Sequence, residues 1–410
     1  MTLGRRYIGQ LFDATVLEFD GEAAPRAQLA SGHHVRLPGG VPGDRVRLRV
    51  VGAGQHSAWG EVIAVLKPSP DRVAAPCPIV DQCGGCPWQA TAYSAQLRAK
   101  EAWLSHLLRP FPDVRVDACA PSPVLGYRTK VQMPVGGRKG ALMLGFWARG
   151  SRALVPVEHC VVQDERAERI RAQVVAILDA AGVTPFDEVA GVGELRTILV
   201  RLAAGRGEAA VVLVTSGHPR DYAVIAEAIV RLEGVTTVWL STHQGSSGAV
   251  LGESSVRLAG AEDLRDRIGD VEVVVSPTGF SQTNPFGAAA IISALRELAP
   301  PALSSLLDLY GGSGLLALAV APKGARVTLV ESHADAVRRA HLRQRRPRLR
   351  AARWRRRPGH VPPLESALHR KPHAALAHPA RFPAPATTPQ PAGLSPPRTQ
   401  KTQGDAPGRR

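Results

Sequence analysis

Nowhere in the 410 residues is there an apolar run approaching the ~20 positions that a bilayer-spanning helix needs, so no membrane is expected among the partners. The first ten residues carry Arg5 and Arg6, but no apolar segment or small-residue cleavage site follows them. That excludes a secretory signal. Cysteine is scarce and odd in number, five in all, with three between Cys77 and Cys86. This is a poor disulfide framework and a good metal-binding one, and it places the expected setting in the reducing cytoplasm. Acidic residues nearly vanish from the last 70 positions. Residues 341–410 hold 16 Lys and Arg and 13 of the 34 prolines, against Glu365 and Asp405 alone. The remaining 340 residues carry 35 basic and 33 acidic side chains, so almost all of the net +16 belongs to the tail. Net charge therefore does not make the whole chain a nucleic-acid binder.

What is present reads as several domains, as the length allows. Over residues 5–66, five short segments with alternating or β-branched apolar positions are broken by glycine turns: Tyr7–Val16, Ala27–Ala30, His34–Leu37, Arg45–Val51 and Trp59–Val65. They suggest a small barrel of the OB kind. A Pro-containing linker leads to the cysteines and then to a helix expected over 91–108. Residues 124–270 read as α/β or α+β, with strands at Arg196–Leu202, Ala209–Val214 and Thr236–Leu240 and helices at Glu165–Ala180 and Asp221–Leu232. From residue 270 the pattern becomes strand, loop, helix (Pro285–Leu298), strand, glycine turn, helix, strand.

Cys77, Cys83 and Cys86 form the densest chemical signal. The Cys-Gly-Gly-Cys turn lets the backbone wrap a metal and aim amides at sulfur, and Cys160 can supply a fourth thiolate. Four thiolates suit structural zinc or an iron–sulfur cluster, and spacing alone does not choose between them. Cys119 stands outside the set.

The second signal is Ser305-Leu-Leu-Asp-Leu-Tyr310, an apolar strand running into Gly311-Gly312-Ser313-Gly314 and a helix. The next strand ends in Glu331. Glycines let the backbone approach a nucleotide cofactor, and an acid ending the second strand can accept hydrogen bonds from a ribose. By spacing alone, both NAD and S-adenosylmethionine fit.

Taken together, these motifs resemble the RNA uracil-5-methyltransferase family, in its iron–sulfur-bearing branch acting on 23S rRNA, over roughly residues 5–340. The barrel with its Leu37-Pro-Gly-Gly-Val-Pro-Gly43 turn is similar to a TRAM domain. Cys77, Cys83, Cys86 and Cys160, followed by Pro87-Trp88-Gln89 and Tyr93-x-x-Gln96, resemble the family's cluster ligands. Tyr127-Arg128-Thr129-Lys130, Leu144-Gly-Phe146 and Phe280-Ser-Gln282-Thr-Asn284-Pro285 match further motifs. The resemblance implies S-adenosylmethionine and a [4Fe-4S] cluster as cofactors. Gln282 and Tyr310 would lie at the methionine end of S-adenosylmethionine, and Glu331 on its ribose. It departs from the family at Leu315, where asparagine is common.

The resemblance also implies an RNA partner, 23S rRNA first, and a monomeric protein. The expected architecture is multidomain: a barrel over 1–66, an α+β central domain with the cluster over 67–270, the start of a truncated Rossmann-like methyltransferase domain over 271–340, and a disordered basic tail over 341–410.

Family chemistry needs a cysteine thiolate to add to C6 of uracil, so that C5 can take the methyl group, and a base to remove the C5 proton. In the family that cysteine follows an Asp-Pro-Pro-Arg motif. Here no cysteine follows Cys160 and no such motif is present. No catalytic residue is assigned, and the chain as written is expected to be inactive. A shifted reading frame from near residue 340 accounts for the tail's Arg/Pro/Ala/His mixture, while the functional reading of the tail is a basic arm on RNA phosphates. The alternatives are a non-catalytic RNA-binding iron–sulfur protein and a tRNA uracil-5-methyltransferase.

Overall fold

Strands β1 (Leu11–Phe19), β2 (Pro25–Gln28), β3 (His34–Arg36), β4 (Arg45–Ala53) and β5 (Ala58–Lys67) close into a barrel in the order β1-β2-β3-β5-β4. The computed structural model describes residues 7–19, 25–54, 58–149, 151, 153–218, 220–245, 250–252, 254–342 and 349–353. The two-residue period of a strand explains the barrel: along β4, Val46, Leu48 and Val50 are buried while Arg45, Arg47 and Arg49 face outward. The first strand begins at Leu11 rather than Tyr7, because Gln10 N–H turns back to the Tyr7 carbonyl at 3.1 Å.

Asp44 ties the barrel to the linker after it. Its fully buried carboxylate accepts from Val41 N–H (2.7 Å), Ser69 N–H (2.9 Å) and the Arg72 guanidinium (2.6 Å). Burial alone would push this carboxyl up. The Arg72 bonds, with the two amides, outweigh burial and hold it below the ordinary value.

Helix α1 (Tyr93–Leu107) occupies the span expected for it. The central sheet then has seven strands: β6 (Lys130–Arg138), β7 (Ala141–Trp147), β8 (Leu154–Pro156), β9 (Leu195–Ala203), β10 (Glu208–Thr215), β11 (Val235–Thr242) and β12 (Ser254–Gly260). Their order is β12-β11-β10-β9-β6-β7-β8. Only β10 and β11 run parallel, joined by helix α3 (Ala223–Val230) as a crossover; the other pairs are antiparallel. Helix α2 (Glu165–Ala180) starts where the Asp164 carboxylate accepts from Arg166 N–H at 2.9 Å. With α3, it packs its apolar stripe onto the sheet and closes the main core around Val174, Leu178, Ile198, Val200, Val211 and Ile229. β9 and β10 are buried almost throughout, hence their continuous apolar sequence.

A hairpin, β13 (Leu264–Ile268) and β14 (Val271–Val275), precedes helix α4 (Pro285–Leu298). Asn284 caps α4 by accepting from Phe286 N–H and Gly287 N–H at 3.0 and 3.1 Å, with Pro285 at the first helical position. Then β15 (Ser305–Leu309), helix α5 (Leu315–Val320), β16 (Arg326–Glu331), helix α6 (Ala334–Leu342) and β17 (Leu349–Arg353) build a parallel sheet in the order β15-β16-β17.

This corrects one expectation. A disordered tail from residue 341, with only two strands of the cofactor domain, does not hold through residue 353: β17 pairs with β16 over Val327–Glu331. A parallel strand needs a crossover helix and backbone partners, and α6 supplies the crossover. Arg339, the fully buried anchor of α6, binds Asp335 Oδ2 at 3.0 Å and also bonds Asp263. The rest of the tail expectation, residues 354–410, lies outside the described residues.

Candidate functional site

The glycine turn sits where two parallel strands end. Leu309 pairs with Val330, so the chain leaves β15 and β16 on the same edge, the carboxyl edge where open α/β sheets bind ligands. Tyr310 leaves β15 in the left-handed region (φ 59°), the one non-glycine residue to do so among those described. Such strain is of order 1–3 kcal/mol and persists only where the surroundings enforce it. The Tyr310 ring is 77% exposed at the mouth of the turn. Gly312 N–H donates to Glu331 Oε2 at 3.0 Å, which ties the turn to the end of the neighbouring strand. The other Glu331 oxygen accepts from Ser332 N–H (2.6 Å) and His333 N–H (2.8 Å). Burial works against this carboxylate's charge, but the three amides outweigh it and keep the group below its ordinary pKa.

Gly311 is needed for space: a Cβ there would lie 2.8 Å from both Asp308 Oδ2 and the Leu329 side chain. Asp308 is the site residue that sequence reasoning passed over. Its Oδ2 is buried without a hydrogen-bond partner among the described residues, and burial raises its pKa. A buried orphan acceptor directly beneath a ligand turn suits a donor brought by a ligand. The signal was there, an acid inside an apolar strand.

Gln282 lies on the loop between β14 and α4, and that loop is held from both sides. The Arg201 guanidinium, buried on β9, donates to the Gly279 carbonyl and to Ser281 Oγ. Thr129 N–H and Oγ1 both donate to the Thr283 carbonyl, at 2.8 and 3.1 Å. Asn284 Nδ2 reaches Ser122 Oγ at 3.1 Å. Between these anchors Phe280 and Gln282 stay exposed. The structure thus brings Tyr310 and Glu331 together through the turn, while no hydrogen bond joins Gln282 to either among the described residues.

Beside this loop three cations gather. Lys130 on β6 is in register with Arg201 on β9, and Arg128 Nε donates to the Lys130 carbonyl at 3.2 Å. Burial, with the charges of Arg201 and Arg128, pushes Lys130 down to about 8. Burial also lowers Arg201, to about 10.

The cysteine loop is fastened to β7. Gly84 N–H donates to the Trp147 carbonyl at 3.1 Å, and Cys83 forms a bridge with Ala148. All four predicted ligands are free and half-buried. Donors aim at three of the sulfurs: Gly85 N–H at Cys83 Sγ (3.4 Å), the Gln89 side chain at Cys86, and Val162 N–H at Cys160. Burial raises Cys86 and pushes Cys160 up to about 11, and both feel Cys77 electrostatically. Thiolates with amides aimed at sulfur are the donor chemistry of a metal site, but the structure does not bring the four cysteines together as one. Among the described residues no three His, Cys, Asp or Glu side chains stand close enough to share a metal ion. Cys119 lies apart, its N–H donating to Glu101 at 2.7 Å.

A closed barrel, a mixed central sheet and a parallel βαβ unit with a glycine turn define a barrel-bearing methyltransferase fold. A Pyrococcus abyssi tRNA (uracil-54, C5)-methyltransferase, solved with S-adenosyl-L-homocysteine, shares that fold with a TM-score of 0.64. The match covers 85% of this chain and 80% of that one, at 20% identity. No protein-family model matches the chain. Among proteins similar in sequence are uncharacterized RNA methyltransferases. The one from Halalkalibacterium halodurans is 30% identical over 80% of this chain and 74% of its own. The one from Thermosynechococcus vestitus is 33% identical over 73% and 68%. The chain belongs to the RNA methyltransferase family.

Proposed function

We propose that the chain is built for S-adenosylmethionine-dependent methylation of C5 of a uridine in 23S rRNA, and that these 410 residues bind cofactor and RNA without completing the reaction. The observation that carries this reading is the Tyr310–Gly314 turn, pinned to Glu331 at the carboxyl edge of β15 and β16. S-adenosylmethionine supplies an electrophilic methyl group. Glu331 would accept from its ribose, and Tyr310 and Gln282 would flank its methionine end. The loop carrying Gln282 is held still by Arg201 and Thr129, so little ordering is left to do on binding. The barrel over 1–66 acts as the TRAM-type RNA module, the central domain spans 67–270, and the cofactor domain starts at 271. The protein works as a cytoplasmic monomer.

The chemical step needs a thiolate at C6 of uracil, and no cysteine follows Cys160. Cys160 itself is half-buried with its thiol pushed up, a poor nucleophile. Incubation with unmodified rRNA and methyl-labelled S-adenosylmethionine should give no transfer, while S-adenosylhomocysteine still binds; turnover would overturn the assignment. Resequencing the codons for 325–350 tests its origin. A shifted frame that encodes Asp-Pro-Pro-Arg and a downstream cysteine restores the family activity to the intact gene.

Cys77, Cys83, Cys86 and Cys160 would hold a [4Fe-4S] cluster, in support of the RNA-binding surface. Iron and sulfide analysis with visible absorbance checks this, since a zinc site is colourless. Loss of the colour in Cys86→Ser and Cys160→Ser is the expected result. The missing nucleophile also favours a second reading, a non-catalytic RNA-binding iron–sulfur protein, in which RNA binding survives without a covalent adduct. A tRNA substrate is the remaining alternative.

A further inference from the structure

A cleft of roughly 600 Å³ lies where the end of β1, the cysteine loop, α1 and the loop before α4 meet. Five aromatic side chains stand among prolines, aliphatic residues and uncharged polar groups in its walls. Phe19 and Trp88 stack with ring centroids 4.0 Å apart and planes 26° from parallel, and Tyr93, Trp103 and Tyr127 are the other three. Among the described residues no Asp or Glu faces it, and Lys100 is its single ionic side chain. Lys100 and Trp103 are three residues apart on α1, so the ammonium and the indole share one helix face. Both are exposed, and Lys100 makes no ion pair among the described residues. Cys86 is the only one of the four cysteine ligands at the cleft, so this space is not the cluster's own cradle. At one end stands Asn284, two residues beyond Gln282. At the other, Trp103 is shared with a second groove that continues to His106 and Arg109; its two carboxylates, Glu18 and Asp71, are each ion-paired, with Arg26 and Arg98.

We infer that this cleft takes an unstacked RNA nucleobase, with the adjoining phosphate on Lys100, from a nucleotide flanking the one presented to the cofactor loop. The inference rests on the RNA-methyltransferase reading and adds a subsite to it. A nucleobase offers a π face to the exposed indole, and base stacking of this kind requires single-stranded RNA. A wall without carboxylates spares the phosphate repulsion. The volume falls within the roughly 300–1,000 Å³ of pockets for small organic ligands. Continuity toward Asn284 on one side and Arg109 on the other gives the strand a route in both directions.

The test is fluorescence anisotropy of the full chain with a labelled single-stranded RNA of about ten nucleotides and with a blunt duplex of the same sequence. Trp103→Ala should weaken single-strand binding about tenfold and change duplex binding less than about twofold. Lys100→Ala should lower the slope of log affinity against log salt by about 0.7, the loss of one phosphate contact. Both side chains are exposed, so the melting temperature should stay put. Unchanged single-strand affinity in Trp103→Ala overturns the inference and leaves the methyltransferase reading standing. So does an equal loss on duplex, or tighter binding of a poly-glutamate peptide than of single-stranded RNA. A native chain that binds neither RNA overturns both.

Discussion

Replacing Arg201 with methionine should separate stability from cofactor binding. Arg201 is buried to 1% exposure; its bonds go to the Gly279 carbonyl and Ser281 Oγ, and among the described residues no carboxylate bonds it and its Nε has no partner. Burial lowers its pKa to about 10, which corresponds to roughly 3 kcal/mol against the charged form. Two hydrogen bonds from a charged donor contribute ~1.5–3 kcal/mol each. Methionine forfeits the bonds and relieves the buried charge, so the terms nearly offset and the net loss should fall between 0 and ~3 kcal/mol. The loop bearing Gln282 loses its anchor from below, and re-ordering a few residues costs about 1–2 kcal/mol per residue fixed. Affinity for S-adenosylhomocysteine should therefore fall about tenfold or more by isothermal titration calorimetry, while urea unfolding shows a modest change. Unchanged affinity would refute the claim that Arg201 positions the cofactor loop. A loss of stability well beyond ~3 kcal/mol would refute the compensation argument.

Lys130, pushed down to about 8, loses its proton in the folded chain before the unfolded one does. Folding stability should therefore rise between about pH 8 and 10.5, by ~1–2 kcal/mol once solvent screening is allowed for, and Lys130→Met should flatten that rise in pH-dependent urea melts. Asp44→Ala removes the acceptor of two amides and leaves Arg72 without its ion-pair partner, so unfolding free energy should drop by ~3–5 kcal/mol; a drop under ~1 kcal/mol would show that the barrel-to-linker latch carries little. Gly311→Ala drives a methyl group against Asp308 Oδ2 and Leu329 and should cost ~1–3 kcal/mol, together with most S-adenosylhomocysteine binding, read by thermal melts with and without the ligand.

Which parts of this molecule were legible follows from how far apart the interacting residues lie in sequence. The glycine turn and its acid were readable because Gly312 and Glu331 are 19 residues apart inside one βαβ unit, and such units repeat a short pattern. Helix α2 was readable to the residue from its apolar period. The hairpins β6–β7 and β13–β14 alternate apolar residues just as well: Val131, Met133 and Val135 all point inward. Without the partner β9, though, nothing in those nine residues separates a sheet strand from a loop carrying a motif. β17 was hidden differently, because a composition averaged over seventy residues drowned five that pair.

The supports of the loop bearing Gln282 were the least legible. Arg201 sits inside the apolar run of β9, and its partners lie 78 and 80 residues away; Thr129 meets Thr283 across 154 residues, and Ser122 meets Asn284 across 162. Motif spacing records the groups that touch a ligand, since chemistry restricts those types. Groups that hold the loop need only reach a carbonyl or a hydroxyl, which many residues can do, so their identity is set by the sheet register that places them. The loop's rigidity is accordingly a property of the central sheet as much as of the cofactor domain. Loosening the β6–β9 register should therefore weaken cofactor binding without touching any residue that the ligand contacts.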